Sequence, residues 1–345
     1  MVKIAIIGTG GMAKGHARAF QAIPNVEIVA CCDIIEERAK GFAEQFKIKT
    51  WYTDYKKMLD SEKIDGVSIV SIDATHAEMS IEALNRKISV ICEKPMAVTV
   101  AEAKKMIAAS KKAKVINMIN FSKRNSSAIQ TAKKMITEGK IGKVMHVDAQ
   151  YLQSWLSTKH WGDWRTESAW LWRLSKKHGS GGVLGDIGCH IYDLAGYLCG
   201  DISDIYSEVK TFPKAKGNKI GEYILDANDS FVSTVTFNNG ALGTVHCSRW
   251  ATGYINREFI CVYGDKGAIE IDFNKGTNIL RKYDVSLDVW ETIGCPKTPS
   301  NYERFISAIK SKKNDVSDFE NGLKIQKYLE ATLASAKTKK PIKIK

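Results

Sequence analysis

The sequence predicts an α/β protein in two halves: a parallel sheet covered on both faces by helices, then an α+β half built on a large, mostly antiparallel open sheet. Three observations carry this. Short, wholly apolar, β-branched runs alternate with amphipathic helical patterns over the first 121 residues. From residue 122 on, apolar and polar residues alternate at period two between turn signals. And 345 residues exceed the length of one ordinary domain. The expected domains are therefore 1–121 and 122–345.

The elements follow in order. Strand candidates of the first half are "KIAIIG", "VEIVACCD", "GVSIVSI", "ISVICEKP" and "KVINMINF", separated by helical stretches such as "GMAKGHARAFQAI" and "AEMSIEALNRK". The second half opens with a helix, "SSAIQTAKKMITEGK", a strand, "KVMHVDAQYLQS", and a tryptophan-rich loop. A helix rich in small residues, in "SGGVLGDIGCHIYD", comes next. Strands "DSFVSTVTF", "ALGTVHCSRW", "EFICVYG" and "AIEIDF" then alternate clearly, with turns at "NNG", "GDKG" and "NKG". Two helices and a short strand, "PIKIK", close the chain.

Bulk properties exclude several classes. Hydrophobic residues at 44% and charged residues at 26% place the chain among globular proteins rather than disordered ones. No apolar run reaches the roughly 18–20 residues that cross a bilayer. "MVKIAIIGTG" runs straight into a strand and a glycine turn, without the shape of a signal peptide. No membrane association is expected, and a cytoplasmic location is. The eight cysteines lie scattered in apolar segments without a C-x-x-C pair, which reads as reduced, buried thiols and no metal site. A net charge of +13 invites a polyanion, but the lysines spread over many helix faces and the one dense cluster is "KTKKPIKIK". With no nucleic-acid motif beside them, no nucleic-acid partner is expected.

"IAIIGTGGMAKGHA" places Gly8, Gly10 and Ala13 in a G-x-G-x-x-A pattern directly after a strand and at the start of a helix. Gly8 permits the tight turn, Gly10 lets backbone approach a pyrophosphate, Ala13 packs the helix on the sheet, and the helix N-terminus stabilises the anion. Asp33, closing the next strand, is placed to hydrogen-bond ribose hydroxyls and repel a 2′-phosphate. Ile34 and Ile35 follow it instead of a basic residue, so NAD is expected rather than NADP. The first half thus reads as a Rossmann dinucleotide-binding domain.

On a regular helix starting near Leu184, Asp186, His190, Asp193 and Tyr197 share one face, beside an apolar stripe of Ile187, Ile191, Leu194 and Leu198. A carboxylate beside an imidazole raises its basicity and fixes its orientation, as a general base requires. Oxidising an alcohol carbon takes away a hydroxyl proton as well as a hydride. His190 is the expected base, Asp186 its partner and a further contact to a substrate hydroxyl, and Lys94 the cation that polarises the reacting oxygen. The intervening loop carries Trp155, Trp161, Trp164, Trp170 and Trp172 with Arg165 and Arg173. Indoles suit the faces of sugar rings, and equally suit aromatic packing or a subunit contact. Arg124 in "FSKRN" is a candidate polar contact in the cleft.

Four separated motifs in order give a resemblance that covers essentially the whole chain. "CEKPMA", the upstream "IDATHAEMSIEALNRKISVICEKP", "NFSKRNSSAIQTAKKMITEGKIGKV" and "SGGVLGDIGCHIYDLAGYLCG" resemble the glucose–fructose oxidoreductase/inositol dehydrogenase (Gfo/Idh/MocA) family. Where that family carries P-N-x-x-H, this chain has Ile72 and Asp73 ahead of a retained His76. The resemblance implies a catalytic group of Lys94, Asp186 and His190 with a cis Lys94–Pro95 bond. It implies cofactor contacts from Gly8, Thr9, Gly10, Gly11, Met12 and Asp33, from Ser71, Ile72 and His76, from Glu93 and Lys94, and from Trp172 and Arg173. Trp155, Trp164, Arg165 and Arg124 would join Asp186 and His190 on the substrate side. A homodimer or homotetramer through the C-terminal sheet is implied as well. The expected activity is NAD(H)-dependent oxidoreduction of a hydroxyl or keto group on a sugar, an inositol-like cyclitol or a related polyol. Two rivals remain: a non-catalytic NAD-binding regulator, and a glycosidase that uses bound NAD for transient sugar oxidation.

Overall fold

The computed structural model describes residues 1–344. By packing, the chain falls into two units. The first comprises Met1–Ser122 together with Pro299–Gln326; the second comprises Lys123–Thr298 and the residues from Lys327 onward.

Six strands form the sheet of the first unit: β1 (Val2–Ile7), β2 (Val26–Cys32), β3 (Thr50–Tyr52), β4 (Gly66–Ile69), β5 (Ser89–Cys92) and β6 (Asn117–Ile119). Their order is β3-β2-β1-β4-β5-β6, all parallel. The chain order reverses between β1 and β4, the switch point outside which open α/β sheets bind ligands. Strands β4 and β5 are buried throughout, as apolar runs on both parities predict. Some of the helices begin at side-chain caps: Asp54 accepts from Lys56 N and Lys57 N, and Thr99 forms a capping box with Glu102.

The sequence reading assigned residues 299–326 to the second half, whereas they pack with the first. Helix Asn301–Ser311, opened by a Ser300/Glu303 capping box, buries Phe305, Ile306 and Ala308 in one cluster with Ile4, Ile6, Phe20, Ile91 and Met118. Ile119 N donates to Ser317 O at 2.7 Å, and Phe319 N to Asn117 Oδ1 at 2.8 Å, so the segment also binds to β6. The hydrophobic residues of β1 and β6 needed a cover, and this helix supplies it.

In the second unit the large sheet contains β7 (Val144–Gln153), β8 (Ile202–Lys210), β11 (Ser230–Phe237), β12 (Leu242–Ser248), β13 (Asn256–Gly264), β14 (Gly267–Asp272), β15 (Ile279–Asp284), β16 (Val289–Gly294) and β17 (Ile342–Lys343). Two short strands, β9 (Lys219–Ile220) and β10 (Tyr223–Ile224), pair separately. Among the described residues the large sheet runs β16-β15-β14-β13-β7-β12-β11-β8-β17. Every pairing is antiparallel except β7 with β12, so the sheet is mixed and mostly antiparallel. One face carries helix Cys189–Cys199: Tyr192 stacks on Phe231 at 5.7 Å and donates to Ser233 Oγ at 2.7 Å. The opposite face of the sheet leaves Tyr206, Val232, Leu242 and Tyr263 exposed. No helix among the described residues is long and apolar enough to cross a membrane.

Candidate active site

In the first unit, the turn after β1 has the shape a dinucleotide needs. Gly8 has φ +88°, and a Cβ there would collide with the Val70 carbonyl. A Cβ at Gly10 or Gly11 would meet nothing, leaving open space ahead of helix Gly11–Gln21. Asp33 is already set: its Oδ2 accepts from both Thr9 N and Thr9 Oγ1 at 2.9 Å, and its Oδ1 from Ile35 N at 3.0 Å. Met12 and Ile72 are exposed. A preset carboxylate, an unencumbered glycine turn and a helix N-terminus together fit a dinucleotide.

Other residues expected at the cofactor are engaged inside the protein. His76 is fully buried, with Nδ1 at 2.8 Å from Pro95 O and Nε2 at 3.2 Å from Ser71 O. Burial opposes its charge, but the Cys92 thiol, Asp73 and the Pro95 carbonyl outweigh that and push its pKa up to about 10. It links the Ser71 segment to the turn of Lys94–Pro95, whose peptide bond is cis. Glu93 is also buried. Its Oε1 lies 2.9 Å from His16 Nε2 and accepts from Asn120 Nδ2 at 2.6 Å, while His16 Nδ1 meets Ser68 Oγ at 2.8 Å. His76 and Glu93 thus hold the turn that displays Lys94.

In the second unit, Asp186 does not sit on a regular α-helix. Leu184–Gly188 is a π-helical turn, and the α-helix begins at Cys189. A π-helical turn of this kind is frequent at functional sites. Asn228 caps this turn, its Oδ1 accepting from Leu184 N at 2.9 Å; its side chain packs against Gly182, which has φ +68°. Two guanidinium groups reach Asp186 Oδ2: Arg249 Nη2 at 2.9 Å and Arg173 Nη1 at 3.5 Å. His190 is buried on the following helix.

Arg124, expected in the cleft, is instead 1% exposed. Its Nε and Nη2 bind Asp193 Oδ2 and Oδ1 at 2.7 and 2.6 Å, and its guanidinium lies 4.3 Å from the Tyr197 ring centre. Two residues of the supposed catalytic face, Asp193 and Tyr197, thereby serve to bury an arginine. Trp155 and Trp164 likewise belong to a small core with Leu156, Leu171, Leu174 and Leu225. Trp161 and Trp170 stack at 6.2 Å, Arg165 is exposed on the ring of Trp164, and Arg173 lies over Trp172 at 4.8 Å. Of the two readings left open for this loop, aromatic packing accounts for Trp155 and Trp164.

Sequence reasoning missed a polar group at one end of the large sheet. Tyr151 and Gln153 on β7, Glu258 and Asn256 on β13, and Arg249 just past β12 all fall on the parity that faces helix Cys189–Cys199. Gln153 Nε2 donates to Asn256 Oδ1 at 2.8 Å and Trp155 Nε1 to Gln153 Oε1 at 3.1 Å. Lys123 pairs with Glu258 and lies 5.3 Å from the Tyr151 ring. Burial raises the Glu258 pKa against the charge of Lys123, and raises that of the Tyr151 hydroxyl together with Glu258. The available signal was parity: in "VDAQYLQ" and "TVHCSR" polar residues take over the positions that Val147, Ala149, Val245 and Cys247 hold earlier.

Both halves of the chain resemble known proteins. Residues 2–121 match the model of an oxidoreductase family with an NAD-binding Rossmann fold, and residues 129–270 that of the GFO/IDH/MocA C-terminal domain. Levoglucosan dehydrogenase of Pseudarthrobacter phenanthrenivorans is 29% identical over 298 residues, covering 79% of this chain and 74% of that protein. The NAD(+)-dependent scyllo-inositol 2-dehydrogenase of Bacillus subtilis is 31% identical over 252 residues, covering 72% and 67%. Among solved structures, levoglucosan dehydrogenase in complex with NADH and levoglucosan superposes with a TM-score of 0.90 at 25% identity, over 99% of both chains. With the dinucleotide turn in place and both halves matched, this chain belongs to the Gfo/Idh/MocA family of NAD-binding oxidoreductases.

Proposed function

We propose that this chain is an NAD(H)-dependent dehydrogenase acting on a secondary hydroxyl of a sugar, an inositol-like cyclitol or a related polyol, with Lys94, Asp186 and His190 as its catalytic residues. The observation that carries the reading is Asp186, an acidic side chain held on a π-helical turn by two guanidinium groups, one turn before His190. Bound NAD supplies the hydride acceptor. His190 takes the hydroxyl proton as the C–H bond gives up its hydride, Asp186 orients the imidazole, and the Lys94 ammonium stabilises the negative charge that develops on the oxygen. Gly8, Thr9, Gly10, Gly11, Met12 and Asp33 hold the dinucleotide, with Ile72, Trp172 and Arg173 as further contacts. His76 and Glu93 act by holding the Lys94 turn.

Relatives named for levoglucosan and for inositol support a cyclic polyhydroxylated substrate. Residues 1–121 carry the dinucleotide role and the sheet-bearing half the substrate role. The exposed Tyr206, Val232, Leu242 and Tyr263 on one sheet face support a homodimer or homotetramer through that face. Eight buried thiols suit a cytoplasmic, reducing location.

The test is the near-ultraviolet absorbance of reduced nicotinamide, with purified protein, NAD or NADP, and a panel of sugars and cyclitols. A polyol-dependent signal that disappears in His190→Ala supports the reading. Cofactor binding without turnover in either direction would replace it with a regulator, or with transient use of NAD in glycoside cleavage.

A further inference from the structure

Arg249 is 0% exposed, and its surroundings are built around it. Nη2 donates to Asp186 Oδ2 at 2.9 Å and to Gly182 O at 3.3 Å, while Nη1 donates to Arg173 O at 3.1 Å. The guanidinium lies 5.0 Å from the Trp155 ring centre. One planar fork therefore joins the acidic residue, the glycine turn that precedes it and the tryptophan loop. Lysine, with a single ammonium, cannot reproduce that fork.

Behind Arg249 the buried charges continue. Its backbone N–H donates to Asp229 O at 2.9 Å, and the Asp229 Oδ2 accepts from Lys214 Nζ at 2.7 Å, with both of those side chains fully buried. Cation and anion alternate from Lys214 through Asp229 and Arg249 to Asp186. An arginine confined in this way is costly to bury, and the anion in front of it offsets part of that cost. Both guanidinium contacts fall on Oδ2, which fixes the rotation of the Asp186 carboxylate.

We propose that Arg249 is the positioning residue of the catalytic site, setting the orientation and the ionised state of Asp186 from beneath the sheet end. Arg249 acts through Asp186, so the proposal rests on the catalytic assignment of Asp186 and His190 made above.

Arg249→Met and Arg249→Lys test it, measured for kcat, KM, pH dependence and NAD binding. The expected result is a loss in kcat of about 100-fold for Arg249→Met, with the NAD dissociation constant within about 2-fold of wild type. Arg249→Lys retains the charge and recovers part of the rate. Arg249, Arg173 and the Tyr151 hydroxyl lie near Asp186. Removing the nearest cation makes the carboxyl a weaker acid, so the acid limb of kcat/KM moves to higher pH by about one unit in Arg249→Met. Because the two residues act as one device, Asp186→Asn with Arg249→Lys is no slower than Asp186→Asn alone. A purely structural residue would lower the melting temperature and leave the pH profile where it was; that outcome, or additive losses in the double variant, overturns the proposal. Should Arg249→Met fail to fold, the pH profile of Arg249→Lys and its cycle with Asp186→Asn decide. Turnover by wild type with an unchanged Arg249→Lys overturns this proposal alone, whereas no turnover by wild type on any polyol overturns the dehydrogenase reading and the proposal with it.

Discussion

His16 Nε2 and Glu93 Oε1 stand 2.9 Å apart inside the first unit, with the His16 side chain 1% exposed and that of Glu93 9%. The pair couples helix Gly11–Gln21 to the end of β5, and Asn120 extends it: its Nδ2 donates to Glu93 Oε1, and its Oδ1 accepts from Asn301 Nδ2 at 2.9 Å. Burial by itself would raise the Glu93 carboxyl; the His16 hydrogen bond and charge, Lys94 and Asn120 more than cancel that and hold it below its ordinary 4.5. A depressed carboxyl stabilises the fold above its unfolded-state pKa and loses that contribution as pH falls through the folded value. His16→Ala should therefore cost about 3 kcal/mol in urea unfolding at neutral pH. The stability gap between wild type and Glu93→Gln should narrow below pH 4.5. A gap that stays constant across that range would show that the carboxylate charge contributes nothing.

On the proposed function, Asp33 sets the choice of dinucleotide. With Thr9 holding one oxygen and Ile35 N the other, the carboxylate is oriented before any ligand arrives. Asp33→Ala should lower the NAD over NADP ratio of kcat/KM by about 10- to 100-fold, as expected for one charge-assisted hydrogen bond. The ratio is read from initial rates with each cofactor. An unchanged ratio would mean that another residue reads the ribose.

The thiols should be silent in the native protein. All eight cysteines are buried thiols. Burial, with the nearby Asp33 charge, pushes Cys31 and Cys32 up to about 12, far from the thiolate form that reacts. Titration with a thiol reagent should label almost none before denaturation and all eight after it. Rapid labelling of the folded protein would contradict the burial.

Arg124 and Asp193 form a buried bidentate pair, so their loss should appear in stability rather than in substrate affinity. Arg124→Met or Asp193→Asn should each destabilise by about 3–5 kcal/mol in denaturant unfolding, because each leaves a charge or a donor stranded. Replacing both with apolar residues should cost less than the sum. Losses that add would disprove the pairing.

The parts of the fold that depend on local chemistry could be read in advance. Gly8 and Asp33 mark a turn and a strand end whose spacing is set by the backbone alone, and the apolar runs of β4 and β5 announce strands buried on both faces. Strands β3, β15 and β16 escaped notice because they are short or only partly buried, and so carry little period-two contrast. Lys94, Asp186 and His190 could be named as candidates from motifs. What could not be read was the company each side chain keeps. Arg124 has the composition of a ligand contact and becomes internal only because Asp193, far along the chain, faces it. The π-helical turn at Leu184–Gly188 depends on Asn228 capping it from another strand's approach, a tertiary event with no local trace.

The helix that supplies Phe305 and Ile306 to the nucleotide-binding core sets a timetable for synthesis. When the first 122 residues leave the ribosome they hold all six parallel strands and the glycine turn, but not the side chains that close the core over Ile4, Ile6 and Met118. At about 5–20 residues per second, the missing segment follows on the order of ten seconds or more later. During that interval the nascent unit presents an uncovered apolar surface, which makes it a natural client for chaperones that act on the ribosome. A gene fragment ending near Ser122 would make that interval permanent.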